Sequence, residues 1–151
     1  MRRETRQRKI LRQVLQEADR PLSPQEILDA AQDRLPELGL ATVYRNVKAL
    51  LEDGVLQAVE LPGQGLRYEV AGKHHHHHFH CRECGKVFEV WGCPGNLCPL
   101  APPEFQVESH MIVLYGRCAG CGRRPGQEAT SSAAKGPSPC LDPGCSGTCE
   151  R

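Results

Sequence analysis

The stretch His74-His75-His76-His77-His78-Phe79-His80-Cys81-Arg82-Glu83-Cys84 decides how the rest of the chain is interpreted. It holds six histidines and two cysteines in eleven residues. A histidine run at a terminus would be typical of an engineered tag, but this one lies in mid-chain, after the strand-like segment 66–70. Imidazole and thiolate groups are metal ligands, so the stretch predicts metal binding.

A second Cys-x-x-Cys pair follows after a spacer and predicts a structural zinc site. Zinc prefers four tetrahedral ligands, and thiolates three residues apart can both reach one ion across a tight turn. Gly85 follows the first pair and Gly122 the second, and glycine tolerates the positive φ that such turns often need. The alternative is a set of buried or disulfide-bonded cysteines. The predicted zinc ligands are Cys81, Cys84, Cys118 and Cys121.

The histidine run predicts two different metal sites if it is extended. Alternate residues of a strand point to opposite faces, so His76, His78 and His80 would share one face. His75 and His77 would share the other face. Imidazole suits zinc, iron, copper and nickel, so ligand type alone does not select the metal. The alternative is that part of the run is a solvated tract.

Composition sets broad bounds on the class of protein. The 151 residues allow one domain or two small ones, and the net charge of +1 says nothing about partners. Residues 2–12 nevertheless hold six basic side chains against one acidic one. No apolar run is long enough for a membrane span, and the charged N-terminus does not resemble a signal peptide. Nine cysteines in such a chain favour thiols and metal over disulfides, so we expect a cytoplasmic protein.

Three helices are predicted in the first fifty residues. Thr5 is a candidate cap for a helix that runs to about Ala18. Ser23, followed by proline and by a glutamate three residues on, is typical of a capped second helix. Thr42 is a candidate cap for the third helix, and Gly54 lies just past its end. The inward face of the third helix would consist of Val43, Val47, Leu50 and Leu51.

A hairpin follows the helices and completes a predicted winged helix-turn-helix. Segments 55–61 and 66–70 alternate as strands do, with a proline–glycine turn between them. The third helix of such a domain can lie in the DNA major groove, with its outward side chains at base edges and phosphates. The alternative is a helical protein-interaction module. The predicted DNA-binding residues are Thr42, Tyr44, Arg45 and Lys48 of the third helix and Arg6 and Arg8 of the basic N-terminal segment.

The remaining sequence predicts a small α/β domain, so the whole chain is expected to be α+β. Segment 87–91 alternates as a strand, 92–103 is a breaker-rich loop with at most a short helical turn, and 105–107 and 110–115 are further candidate strands. From Pro125 the composition is typical of disorder. The expected domains are 1–72, which binds DNA, 73–124, which binds metal, and 125–151, a cysteine-containing tail.

The motifs of this chain together resemble those of the ferric-uptake-regulator (Fur) family of bacterial metalloregulators. The matching pieces occur in the family's order and at about its spacing over residues 5–122. They are Gly39-Leu40-Ala41-Thr42-Val43-Tyr44-Arg45, Arg67-Tyr68-Glu69, the histidine-rich strand running into Cys81-Arg82-Glu83-Cys84-Gly85-Lys86-Val87-Phe88-Glu89, Ser109-His110, and Leu114-Tyr115-Gly116-Arg117-Cys118-Ala119-Gly120-Cys121.

The resemblance implies a homodimeric, metal-dependent transcriptional repressor. Its winged helices would bind a pseudo-palindromic operator in double-stranded DNA, and its C-terminal domains would dimerise. A regulatory divalent metal near the hinge would hold the two DNA-binding domains at the spacing that the operator demands. The expected consequence is repression of metal-uptake genes when the metal is plentiful.

The resemblance also implies which residues bind the further metals. The regulatory ligands would be Glu69, His76, His78 and Glu89, and a further ligand of some members falls near Pro21, where there is no histidine. The usual acidic partner of a second site falls near Asn96, so Cys93 or Cys98 could replace it. The other ligands of that second site would be His75, His77 and His110.

Metal choice and competing functions stay open at the sequence level. Many iron-type members carry aspartate where this chain has His77, and the imidazole-rich sites favour zinc over manganese, with iron possible. A cysteine that many zinc sensors carry falls near Ala71 and is absent. The alternatives are a metal-storage or metallochaperone protein and a peroxide sensor on the same scaffold. No catalytic motif is present, and a four-cysteine zinc site is closed to water, so we expect no enzyme.

Overall fold

The computed structural model describes residues 5–122 and divides the chain into two compact units, with the division between Lys73 and His74. Both helices and sheets are present, as expected for an α+β chain. The predicted tail 125–151, with its three cysteines, lies outside the described residues. None of the helices in the described range is long and apolar enough to cross a membrane.

The first unit begins with three helices whose ends follow local sequence signals. They are α1 (Arg6–Ala18), α2 (Pro24–Gln32) and α3 (Leu40–Glu52). The Thr5 side chain caps α1, and Ser23 forms the expected capping box at α2. Their apolar stripes meet in one core, which also takes residues from the hairpin. The fully or nearly buried members include Leu11, Leu15, Ile27, Val43, Val47, Leu50 and Tyr68.

The prediction that Thr42 caps α3 is wrong. The helix begins at Leu40, its cap position is Gly39, and no side chain caps it. The backbone N–H groups of Thr42 and Val43 both donate to the Gly39 carbonyl, so Thr42 lies within the first turn. Glycine is an acceptable cap residue because it adopts the required backbone conformation freely. The threonine hydroxyl is therefore available to another partner.

The hairpin consists of β1 (Leu56–Leu61) and β2 (Gly65–Val70), paired antiparallel as predicted. Gly63 and Gly65 have φ of 72° and 69° in the turn, which favours glycine. Hydrogen bonds in both directions between the Leu22 and Tyr68 backbones attach β2 to the segment before α2. Three helices with a hairpin held against them form a winged helix-turn-helix.

The second unit is a three-stranded sheet with short helical segments. Its elements are β3 (His77–Cys81), β4 (Val87–Val90), a 3₁₀ turn (Cys98–Leu100), β5 (Val113–Gly116) and α4 (Ala119–Gly122). The strand order is β4-β3-β5. The central strand β3 pairs antiparallel with β4 and parallel with β5.

Two strand predictions in the second unit need correction. Segment 105–107 is not a strand: the Phe105 N–H bonds back to Pro102 in a turn, and the Phe105 side chain is exposed. An alternating sequence forms a strand only where a neighbouring strand supplies backbone hydrogen-bond partners. The strand predicted at 110–115 begins only at Val113, because its pairing with β3 starts there.

Candidate metal centres and the DNA-facing helix

The sheet of the second unit gathers metal-binding side chains at its two ends. Because β3 and β5 are parallel, with His78 beside Val113, residues three positions upstream of each also come side by side. These residues are His75 and His110. At the opposite end, β3 finishes at Cys81 and β5 leads directly to Cys118. One end therefore collects histidines and the other collects cysteines.

The four predicted cysteines come together at the second of these ends. Their sulfur atoms all lie within 4.8 Å of one another, and none of the four is in a disulfide. The Cys84 and Cys118 Sγ atoms are 3.9 Å apart. A zinc ion about 2.3 Å from each sulfur would separate tetrahedral ligands by about 3.8 Å, so the thiols fit zinc. Of the two glycines after the pairs, Gly85 has the left-handed φ, 69°, whereas Gly122 ends α4.

The ionisation of these thiols also fits a bound cation. Backbone N–H groups, first that of Cys84 and then that of Cys118, lower the pKa of the Cys81 thiol to about 6. Hydrogen bonding with Cys118, followed by burial, raises the pKa of Cys121 to about 12. Without a cation, the Cys81 thiol therefore ionises more readily than the Cys121 thiol. A bound divalent metal would stabilise every coordinating thiolate.

The first end holds His75, His77 and His110 with their Nε2 atoms turned toward one another. The His75 Nε2 lies 3.2 Å from the Nε2 of His77 and 3.2 Å from that of His110. Tetrahedral nitrogens about 2.05 Å from zinc would be about 3.4 Å apart. The predicted second site is therefore assembled by the fold, and its geometry fits a small divalent metal.

A cysteine completes this cluster where the sequence had left the fourth ligand open. The Cys93 Sγ lies 3.3 Å from His110 Nε2, and the four donor atoms lie within 4.8 Å of one another. Asn96 is exposed, and its side-chain oxygen accepts the Cys98 N–H instead. Cys98 is disulfide-bonded, so the expectation of free metal-binding thiols does not hold for it.

Two histidines of this cluster, His75 and His77, have lowered pKa values, which favours the neutral form of each ring. Burial, followed by the neighbouring His75 and His110 rings, lowers the pKa of His77 to about 4. Burial and then His110 also lower the pKa of His75. The Ile112 N–H donates to His77 Nδ1 at 3.2 Å, which leaves the proton of the neutral ring on Nε2. A metal at this Nε2 would require that proton to move to Nδ1, so the ring would stay neutral and its contact with the Ile112 N–H would change.

The other face of the histidine strand carries the side chains predicted for the regulatory site. The His76 and His78 rings are 5.0 Å apart, and Glu89 lies opposite His78 in the β3–β4 ladder. The His76 ring also lies 5.1 Å from the Trp91 ring, a contact that no sequence pattern predicts. In the first unit, Glu69 lies on β2 and accepts a hydrogen bond from Gln57.

His80 belongs to neither histidine cluster. Although it shares a strand face with His78, it is buried at the cysteine end of β3, beside the Tyr115 ring at 5.7 Å. Strand alternation therefore predicted that His80 shares a face with His78, but it did not predict that His80 lies too far along β3 to join the histidine cluster.

Helix α3 presents the predicted DNA-facing side chains to solvent. Tyr44, Arg45 and Lys48 are exposed, while the opposite face of the helix is buried. The Thr42 hydroxyl accepts a hydrogen bond from Arg45 Nη2 at 3.1 Å, which holds the guanidinium beside the first turn. A guanidinium so placed can donate two parallel hydrogen bonds to guanine or phosphate.

From Arg6 onward the basic N-terminal segment lies in helix α1, as the Thr5 cap predicts. Arg6 is exposed on α1, next to the predicted DNA-binding Arg8. Arg8 is mostly buried and pairs with Asp53 at 3.5 Å. Part of its charge is therefore neutralised within the domain.

Fold and site together define a metal-binding, winged-helix transcription regulator. A profile of the ferric uptake regulator family matches residues 2–95. The ferric uptake regulation protein of Campylobacter jejuni is 30% identical over 125 residues, with 80% of each chain covered. That of Shigella flexneri is 32% identical over 113 residues, covering 71% of this chain and 75% of that protein. The chain belongs to the ferric uptake regulator family.

Solved structures agree with this assignment. The Helicobacter pylori ferric uptake regulator Fur aligns with a TM-score of 0.63 and 26% identity, over 82% of this chain and 84% of that one. The Vibrio cholerae regulator aligns with a TM-score of 0.60 and 28% identity, over 77% and 92% of the two chains. Family members are dimeric, DNA-binding, metal-binding transcriptional repressors and not enzymes. The enzyme and storage alternatives are set aside on this ground.

Proposed function

We propose that this protein is a homodimeric repressor that binds a pseudo-palindromic operator in cytoplasmic DNA and is activated by a divalent metal, with zinc preferred over iron and manganese. The observation that carries the proposal is the histidine strand, whose two faces each hold a separate set of metal-ligand side chains. A regulator that senses metal needs such ligands in addition to those of a structural zinc.

The DNA contacts are assigned to the exposed face of α3. Arg45 would reach a base edge or a phosphate, and Tyr44 offers a ring for a thymine methyl and a hydroxyl for phosphate. The side chains of Lys48, Thr42 and Arg6 would add contacts to the DNA phosphate backbone. Arg8 would attract the DNA phosphates less strongly than a free arginine, because Asp53 already neutralises part of its charge.

The regulatory metal is assigned to His76, His78 and Glu89 of the second unit, together with Glu69 as the sequence predicts. A ligand can switch a protein only when it binds one arrangement better than another. Metal at this set would therefore raise operator affinity by favouring the DNA-binding arrangement of the dimer.

The four cysteines are assigned to a structural zinc. This site is closed, since four thiolates leave no position for water, and its contribution is stability. The second histidine site, at His75, His77 and His110, is assigned to a further metal. The Helicobacter pylori Fur structure is described as having three functional metal binding sites, which supports three sites here as well.

The proposal is tested by operator binding under buffered metal. Protein cleared of regulatory metal but retaining its structural zinc is titrated with zinc, manganese and iron(II) separately, against promoters of metal-uptake genes. One metal, expected to be zinc, should switch DNA binding on at a far lower free concentration than the others. If no metal changes DNA affinity, the repressor mechanism is wrong.

A matched pair of variants locates the switch. His76→Ala should abolish the metal response and spare the zinc held by the cysteines. His74→Ala is the control, because the His74 ring belongs to none of the metal-ligand clusters and the hydrogen bond between His74 and His76 uses the His74 backbone carbonyl, which the substitution keeps. A His76→Ala protein with a normal metal response would show that the regulatory set is misassigned.

A further inference from the structure

The loop between β4 and the 3₁₀ turn places Cys93 against the second histidine site. We propose that Cys93 is the fourth ligand of this site, and that its thiolate makes the site selective for zinc over manganese. This deepens the proposed function, because it concerns a site of the same regulator.

The geometry supports a four-coordinate site with one sulfur and three nitrogens. A tetrahedral ion would place a bound sulfur and a bound nitrogen about 3.5 Å apart, and Cys93 Sγ lies 3.3 Å from His110 Nε2. The His75 Nε2 lies 3.2 Å from the Nε2 of His77 and 3.2 Å from that of His110, separations that a zinc ion would also require. His77 is buried, His110 and Cys93 are half-buried and His75 is exposed, so an ion has a path from solvent.

The fold explains why Cys93 reaches this site. Strand β4 runs antiparallel to β3 and ends at Val90, which pairs with His77. The chain therefore leaves the sheet at the end where His75 and His110 lie. The Gly95 N–H then donates to the Cys93 sulfur at 3.4 Å, and Gly95 has a φ of 81°. This hydrogen bond orients the sulfur and stabilises a thiolate.

The donor set determines the preferred metal. Manganese prefers carboxylate, carbonyl and water oxygens, whereas thiolate and imidazole suit zinc. No carboxylate belongs to this cluster among residues 5–122. One thiolate and three neutral imidazoles around a divalent ion leave a net charge of +1. On binding, the Cys93 thiol gives up its proton to solvent.

Cobalt(II) is the probe for the sulfur ligand, because a thiolate bound to cobalt gives a charge-transfer band in the near ultraviolet. Full-length protein that retains one zinc per chain at the cysteine site receives one equivalent of cobalt. The wild type should show the band of a single cobalt–sulfur bond. Cys93→Ser should bind cobalt more weakly and lose the band. Asn96→Ala is the control from the same loop and should keep the band, because Asn96 is exposed and its side chain lies outside the cluster.

Metal competition measures selectivity without any DNA. Cys93→Ser should lower zinc affinity at this site by about tenfold or more and leave manganese affinity almost unchanged. Cys93→Asp, which supplies a carboxylate, should lower the ratio of zinc affinity to manganese affinity. A charge-transfer band that persists in Cys93→Ser with the zinc count unchanged, or unaltered zinc affinity, would overturn the proposal. Such a result would not contradict the proposed role of His76 in metal-dependent DNA binding, because the His76→Ala experiment tests that role separately.

Discussion

Replacing Cys81 by serine should unfold the second unit and leave the first unit folded. Cys81 is fully buried and accepts the Cys118 N–H, so its loss removes both a zinc ligand and a contact that joins the two ends of the site. Within residues 5–122, the buried apolar side chains of the second unit are Cys81 and Val87, whereas the first unit has a core of its own.

The magnitude follows from what this small core can supply. Full burial of a valine contributes about 2 kcal/mol, whereas structural zinc contributes about 10 kcal/mol or more. A domain of ordinary size has a free energy of unfolding of about 5–15 kcal/mol. Because the apolar core of the second unit is much smaller than that of an ordinary domain, loss of the zinc should leave this unit unfolded.

The chain offers separate signals for its two units. Trp91 is the single tryptophan and lies in the second unit, whereas helices α1, α2 and α3 all lie in the first. Cys81→Ser should show a red-shifted tryptophan emission and no zinc bound by the cysteines, while helical circular dichroism still melts cooperatively. Glu83→Ser is the control from the same turn and should behave as the wild type, because Glu83 is exposed and is not a zinc ligand. A zinc-free Cys81→Ser protein with unchanged emission would refute the reasoning.

Further predictions concern DNA binding, stability and pH. Arg45→Ala should weaken operator binding by about 1–3 kcal/mol at fixed salt in a gel-shift titration, with the dimer intact by size exclusion; unchanged affinity would remove it from the DNA contacts. Ser23→Ala, which removes the cap of α2, should cost the first unit about 1 kcal/mol in thermal melts. Leu50→Ala should cost about 2–5 kcal/mol there, because it leaves a cavity beneath α3. The pKa of His77 is lowered from 6.5 to about 4, so between these two pH values the unfolded chain binds more protons than the folded protein. Without metal at the histidine sites, the second unit should therefore lose stability as the pH falls from 6.5 to about 4. Trp91 emission can follow this loss.

Local signals predicted much of the first unit correctly. The Ser23–Glu26 capping box, the Thr5 cap and the glycines of the hairpin turn each act over four residues or fewer, and the structure has all of them. The start of α3 was misplaced because two capping solutions, Gly39 and Thr42, lie three residues apart, and the sequence does not show which one the core prefers.

The sequence by itself determined the chemistry of this protein: the doubled Cys-x-x-Cys, the alternation of histidines along one strand, and the outward side chains of the third helix. Tertiary structure decided which of these groups meet. The parallel pairing of β3 with β5 brings His110 to His75, and the direction of β4 delivers Cys93 rather than Asn96 or Cys98. Such pairings join residues tens of positions apart, so their register depends on how the whole sheet packs and not on any local pattern.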